Sequence, residues 1–196
     1  MRIVICWGGV SGYMAACWRE LASRAGVDLL VFNFRRQLDT AFNDEQVMAG
    51  IPHRMLPIDH PDAAGAIRQM ILDHRADVVS LSGWVAPAYL DVAHDPALAN
   101  IPLVMVMDTP LRRTWRQRLA RLKVGRYVDR MSRVIVPGER AWQYARFLDV
   151  PEHKAPASRI TQSALASGKS TLPHPAQTIA EPAPSFQGAT PRLGSH

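Results

Sequence analysis

The chain has 196 residues, of which 23 are Lys or Arg and 17 are Asp or Glu, giving a formal charge of +6 with histidine neutral. That length suits one domain of roughly 100–200 residues and leaves little room for a second. The basic balance favours an anionic partner such as phosphate, nucleotide, acidic lipid or nucleic acid, without choosing among them. No run reaches the ~20 apolar residues of a membrane span, and two cysteines without CxxC spacing, apart from seven scattered histidines, support neither a zinc site nor a disulfide framework.

The first element is the apolar run "RIVIC", a strand, followed by "WGGVSGY" and a helix over about Gly12–Ala25. Cys6 falls in that strand and Cys17 in that helix, and both are expected to be buried, reduced thiols. The tetrapeptide "MAAC" at Met14–Cys17 is not a lipidation site, because Gly8, Gly9 and Gly12 break the continuous apolar stretch a signal peptide needs. A glycine loop between a strand and a helix start suits an anion or a sugar, since backbone N–H groups and the helix dipole point above the sheet. Its spacing, "GGVSG", misses the dinucleotide pattern GxGxxG. Tight strand-to-helix packing is the alternative reason for these glycines.

"VDLLVFNF" is the second strand, and it ends at Arg35 and Arg36 where an NAD-binding domain carries an acid for the ribose. Arginines there suit the 2′-phosphate of NADP, which keeps a reductase domain as one alternative. "NDEQVMAGIPHRMLPI" adds a short helix and a short strand. Then come a helix over about Asp62–His74, the strand "ADVVSLSG", a helix over Ala86–Ala93, the strand "IPLVMVMD", a helix over Leu111–Asp129, the strand "SRVIVPG" and the helical "GERAWQYARFLDV". The strands are apolar without alternation, as strands buried on both faces are. Their alternation with helices predicts an α/β fold, a Rossmann-like parallel sheet flanked by helices. From residue 155 the sequence turns to Ala, Pro and Ser with Phe186 as its single aromatic, so the expected domains are 1–154 and a disordered tail over 155–196.

In such a sheet ligands meet the carboxyl ends of the strands, which draws attention to Gly8–Tyr13, Asn33–Arg36, Ser82–Trp84, Asp108–Pro110 and Pro137–Arg140. Asp108 ends its strand before Thr109-Pro110 and can face a cleft or cap the following helix. Trp84 and Tyr13 can stack on a sugar ring or pack in the core. His53, His60 and His94 share no motif. Between Arg112 and Arg133 stand nine basic residues against Asp129 alone, with Leu111, Trp115, Leu119 and Leu122 at helical spacing and Arg112, Arg113, Arg116 and Lys123 around them. Such a helix suits an anionic membrane surface, or packs on the sheet with a solvated basic face. Nucleic acid is disfavoured, because no recognised motif or aromatic platform accompanies the charges.

Taken together, "MRIVICWGGVSGYMAACWRELASR", "IPLVMVMDTP" and "SRVIVPGERAWQYARFLDVPEHK" resemble the N-terminal half of group 1, family 4 nucleotide-sugar glycosyltransferases, which have the two-domain GT-B fold. The resemblance covers residues 1–154, is strongest at both ends and is weak over 35–75. It implies transfer of a sugar from a nucleotide-sugar donor to a sugar or lipid-linked acceptor, with no metal or cofactor expected. With neither a signal-peptide h-region nor a membrane span in the sequence, the expected location is cytoplasmic, at most peripheral at the inner face of the membrane. By the same resemblance Asp108 is the candidate catalytic residue. Gly8, Gly9, Gly12, Tyr13, Trp84 and Thr109 are candidate substrate-binding residues, and Arg112, Arg113, Trp115, Arg116 and Lys123 a candidate membrane-binding set. The donor domain, with its "NG(V/I)D"-like turn and Glu-x7-Glu motif, has no counterpart after Lys154, so the expectation is a truncated chain that does not turn over alone. A basic binding module for anionic lipid or nucleic acid is the competing class.

Overall fold

The computed structural model describes residues 1–35, 44–84 and 86–155. In chain order the elements are β1 Arg2–Trp7, α1 Gly12–Ala22, β2 Asp28–Arg35, α2 Asp44–Val47, β3 His53–Pro57, α3 Ala63–Asp73, β4 Val78–Leu81, α4 Pro87–His94, a 3₁₀ turn at Pro96–Leu98, β5 Leu103–Val106, α5 Trp115–Arg130, β6 Arg133–Ile135 and α6 Glu139–Phe147. The six strands form one sheet in the order β3-β2-β1-β4-β5-β6, and every pairing is parallel. This is the Rossmann-like α/β fold the sequence predicts.

Side chains alternate across a strand, so β1 sends Val4 and Cys6 to one face and Ile3 and Ile5 to the other. Both sets are buried, which is why the run is apolar without alternation. Ile3 and Ile5 join Leu29, Val31, Ala15 and Trp18 in a core beneath α1. Val4 and Cys6 join the larger core with Phe34, Ile67, Tyr89, Val128 and Tyr144. Helix starts follow capping chemistry. Ser11 accepts from Met14 N at 3.3 Å at the head of α1, Asp62 accepts from Gly65 N at 3.0 Å at α3, and Pro87 opens α4.

Two expectations are corrected. Cys17 is exposed while Cys6 is buried, because α1 turns Ala15 and Trp18 toward the sheet and leaves position 17 outside that stripe. Helix α5 begins at Trp115 rather than Leu111, with Thr114 as its N-cap. The cause is Gln117, whose buried side chain accepts from Arg112 N at 2.7 Å and donates to the Pro110 carbonyl at 2.9 Å. Those bonds hold residues 110–114 as a non-helical strap, in which Arg113 has a left-handed φ of 52°.

The C-terminal motif stays folded through "DVPEHK". Asp149 takes a left-handed φ of 57° after α6 while Val150 N donates back to Ala145 O at 3.0 Å, the Schellman arrangement. Val134 N then donates to Lys154 O at 2.8 Å, tying this turn to β6. Ala155 is fully buried. The rest of the expected tail, 156–196, and Arg36 lie outside the described residues.

Candidate functional site

The strand order reverses between β1 and β4, and their following segments therefore part to opposite sides of the sheet. At the carboxyl ends of β1, β4 and β5 they leave a cleft of about 330 Å³ lined by Trp7–Val10, Ser82–Trp84 and Val106–Thr109. Of the residues singled out in the sequence, Gly8, Gly9, Trp84, Asp108 and Thr109 come together here. Gly12 and Tyr13 do not line the cleft. Tyr13 is 77% exposed on the first turn of α1.

Asp108 is exposed, and its carboxylate makes no hydrogen bond or ion pair among the described residues. The capping role is excluded, because Thr114 caps α5. Among the described residues Asp108 is the single ionisable one in the lining, which leaves its carboxylate available to a ligand. Trp84 is half-buried, its ring edge-on to Tyr144 with centroids 6.2 Å apart, so it packs on the core and still borders the cleft.

The Ser82–Gly83 side of the lining is backed by buried polar groups that carry no signal in the sequence. Tyr127 of α5 donates to the Gly83 carbonyl at 2.5 Å, at a position where Gly83 takes a φ of +61° that other residues rarely adopt. Tyr89 lies beneath, its hydroxyl buried near that of Ser82. Burial pushes the Cys6 thiol and the Tyr89 and Tyr127 hydroxyls well above their usual ranges, so all three stay protonated at neutral pH. Tyr127 and Tyr89 brace the Ser82–Gly83 segment, and Cys6 packs in the core.

The glycine loop has room above it. A Cβ on Gly12 meets nothing within 4 Å, and one on Gly8 reaches the Ser82 Oγ only at 3.8 Å. Packing against the helix therefore does not account for Gly12. Trp7, Val106 and Met107 also line the cleft. The signal for them was their place at or just past the ends of β1 and β5, which their apolar character obscured.

The remaining candidates lie elsewhere. Arg35 is ion-paired with Glu45 at 3.1 Å, so it does not stand free for a 2′-phosphate. His53 Nε2 contacts the same Glu45 at 3.2 Å. Trp115, Arg116 and Lys123 border a second groove between α5 and α6, while Arg112 and Arg113 sit on the strap before α5.

The sequence of residues 8–156 matches the glycosyl transferase 4-like domain. The chain belongs to that family. Among solved structures, this glycosyltransferase domain is similar to the UDP-GlcNAc 2-epimerase from Neisseria meningitidis, solved bound to UDP-GlcNAc, with a TM-score of 0.58 and 15% identity. That likeness is one of fold. It covers 80% of the present chain but only 45% of the epimerase, so the domain spans less than half of that structure and corresponds to the N-terminal half of a GT-B fold. No curated protein matches the chain.

Proposed function

We propose that this domain forms the acceptor-side wall of a sugar-transfer cleft, working with a nucleotide-sugar donor held mainly by a second, facing half. The observation that carries the reading is the opening at the β1/β4 switch point, where Gly8, Gly9, Trp84, Thr109 and an unpaired Asp108 meet. The family supplies the class of reaction, and the epimerase of like fold was solved with a nucleotide sugar.

In glycosyl transfer the bond from the anomeric carbon to the diphosphate breaks as the acceptor oxygen approaches. Positive charge develops on the sugar ring and negative charge on the leaving phosphate. The Asp108 carboxylate is placed to accept from a sugar hydroxyl and to stabilise the ring charge. The Trp84 ring offers an apolar face to the sugar. The backbone N–H groups of the glycine loop at Gly8–Val10 offer donors to phosphate oxygens. Among the described residues the lining holds no cation, and on this reading the compensation for the diphosphate comes mostly from the facing half. On this reading the chain alone does not turn over any nucleotide sugar above background hydrolysis, because only the assembled cleft fixes the reacting atoms in line.

Saturation-transfer NMR with a panel of sugars and nucleotide sugars tests the reading. Contact to at least one ligand is expected, lost in Trp84→Ala and weakened in Asp108→Asn, with Tyr13→Ala unchanged. Ligand contact that survives both cleft variants would place the site elsewhere.

A further inference from the structure

Helix α5 presents two faces, and the one turned away from the core is the more unusual. Gln117, Val124, Tyr127 and Val128 are buried against the sheet. At 100° per residue, Trp115, Leu119, Leu122 and Arg126 fall within about 60° of arc on the opposite side. Three of these are apolar, and they are 67%, 45% and 83% exposed respectively. Of the two readings open to this stripe in the sequence, packing on the sheet is the one the structure does not bear out, since the stripe points outward.

The charges around that stripe divide into two kinds. Arg121 is held by Asp129 at 3.1 Å, and Arg130 by the carbonyls of Leu98, Ala99 and Ile101. Arg112, Arg113, Arg116, Arg118, Lys123 and Arg126 are exposed and have no ion pair among the described residues. The guanidinium of Arg116 lies 5.5 Å from the ring centroid of Trp115. Beside the stripe runs a groove of about 480 Å³, floored by Ala120, Val124 and Tyr144, with Arg116 and Lys123 in its lining and no acid. Trp84 borders this groove and the cleft alike.

We infer that this face of α5 docks on the surface of an anionic bilayer. An apolar stripe flanked on both sides by unpaired cations fits the boundary between acyl chains and acidic headgroups, with the long basic side chains reaching outward to phosphate. No helix among the described residues is long and apolar enough to cross a membrane, so α5 lies along the interface. A second copy of the chain is a poor occupant, since it would set the same cations against each other. Nucleic acid would leave the central apolar stripe without a use. Docking here would bring the mouth of the cleft, through Trp84, within reach of a membrane-borne molecule. The inference does not depend on what the cleft transfers.

Co-sedimentation of the full chain with vesicles tests it, comparing phosphatidylcholine alone with phosphatidylcholine mixed with phosphatidylglycerol. Binding is expected to be at least about ten-fold stronger to the anionic vesicles. It should fall by a similar factor in Trp115→Ser/Leu122→Ser and in Arg116→Gln/Lys123→Gln/Arg126→Gln, while Tyr13→Ser, on α1, binds as the parent does. Circular dichroism establishes that each variant is folded. Equal binding to both vesicle types would overturn the inference, as would full binding by the apolar variant, which is the behaviour of a site for any polyanion such as DNA. A stable dimer in analytical ultracentrifugation that Leu122→Ser dissociates would instead assign the face to a second copy.

Discussion

Helices α1 and α5 both follow a core strand and a loop at the ligand end of the sheet, yet they place their tryptophans differently. On α1 the aromatic at the centre, Trp18, is 2% exposed and packs edge-on to Trp7 with centroids 6.0 Å apart. On α5 the aromatic at the first turn, Trp115, is 67% exposed, and Gln117 is buried on the opposite face with Val124, Tyr127 and Val128. Apolar spacing marks a face of a helix but does not say what covers it. In α5 the strap before the helix sets its rotation, because Gln117 must lie inside to reach Pro110 and Arg112.

The same substitution on the two helices gives the widest separation. Trp18→Ala should lower stability by about 3–5 kcal/mol, the range for emptying a core aromatic site, whereas Trp115→Ala should fall within about 0.5 kcal/mol of the parent. Thermal or urea unfolding checks both, and similar losses at the two positions would mean that α5 is rotated from the position described. Next in size, Gln117→Ala should cost about 1–2 kcal/mol by removing the partners of the part-buried Arg112 N–H and Pro110 carbonyl. It should also make the strap residues more accessible to protease.

Tyr127→Phe comes third, at about 1–2 kcal/mol, since the Gly83 carbonyl loses its partner. Faster amide exchange around Gly83 should accompany it. Gly12→Val should change stability by no more than about 1 kcal/mol, because the added side chain enters open space. If the loop receives the ligand, the same variant should weaken ligand binding while the unfolding midpoint holds. A collapsed midpoint would restore the packing explanation for this glycine.

The smallest effect is one of pH. Asp77 accepts from Arg2 N at 2.7 Å, and this backbone hydrogen bond, with lesser help from the Arg2 side chain, holds its carboxyl below the usual range. A carboxyl whose folded pKa is depressed stabilises the fold above its unfolded pKa, and that contribution is lost as pH falls through the folded value. Asp77→Asn should therefore be slightly less stable than the parent at pH 7. The difference should shrink as pH drops below about 4, as urea melts across that interval will reveal.

Much of the fold is legible because burial on both faces leaves strands such as "RIVIC" and "IPLVMVMD" apolar throughout, and no other element of this length reads that way. Asp108, Trp84 and the paired glycines are legible for a related reason: polar or glycine positions ending apolar strands stand out. The start of α5 is not, because it depends on hydrogen bonds from a glutamine to backbone that no periodicity encodes. Nor is the exposure of Cys17, since α1 places only Ala15 and Trp18 in the core and its other apolar residues look the same in sequence. Trp7, Val106 and Met107 read as core although they border the cleft, and only the strand order brings them beside Asp108.

Backbone amide chemical shifts recorded while sugars and nucleotide sugars are titrated into the full chain decide whether the opening at the β1/β4 switch point receives such a ligand. Shifts are expected to concentrate at Gly8, Gly9, Ser82–Trp84, Asp108 and Thr109, with those of α3 and β3 unmoved. Saturable binding that leaves the cleft amides in place and perturbs another surface would contradict it.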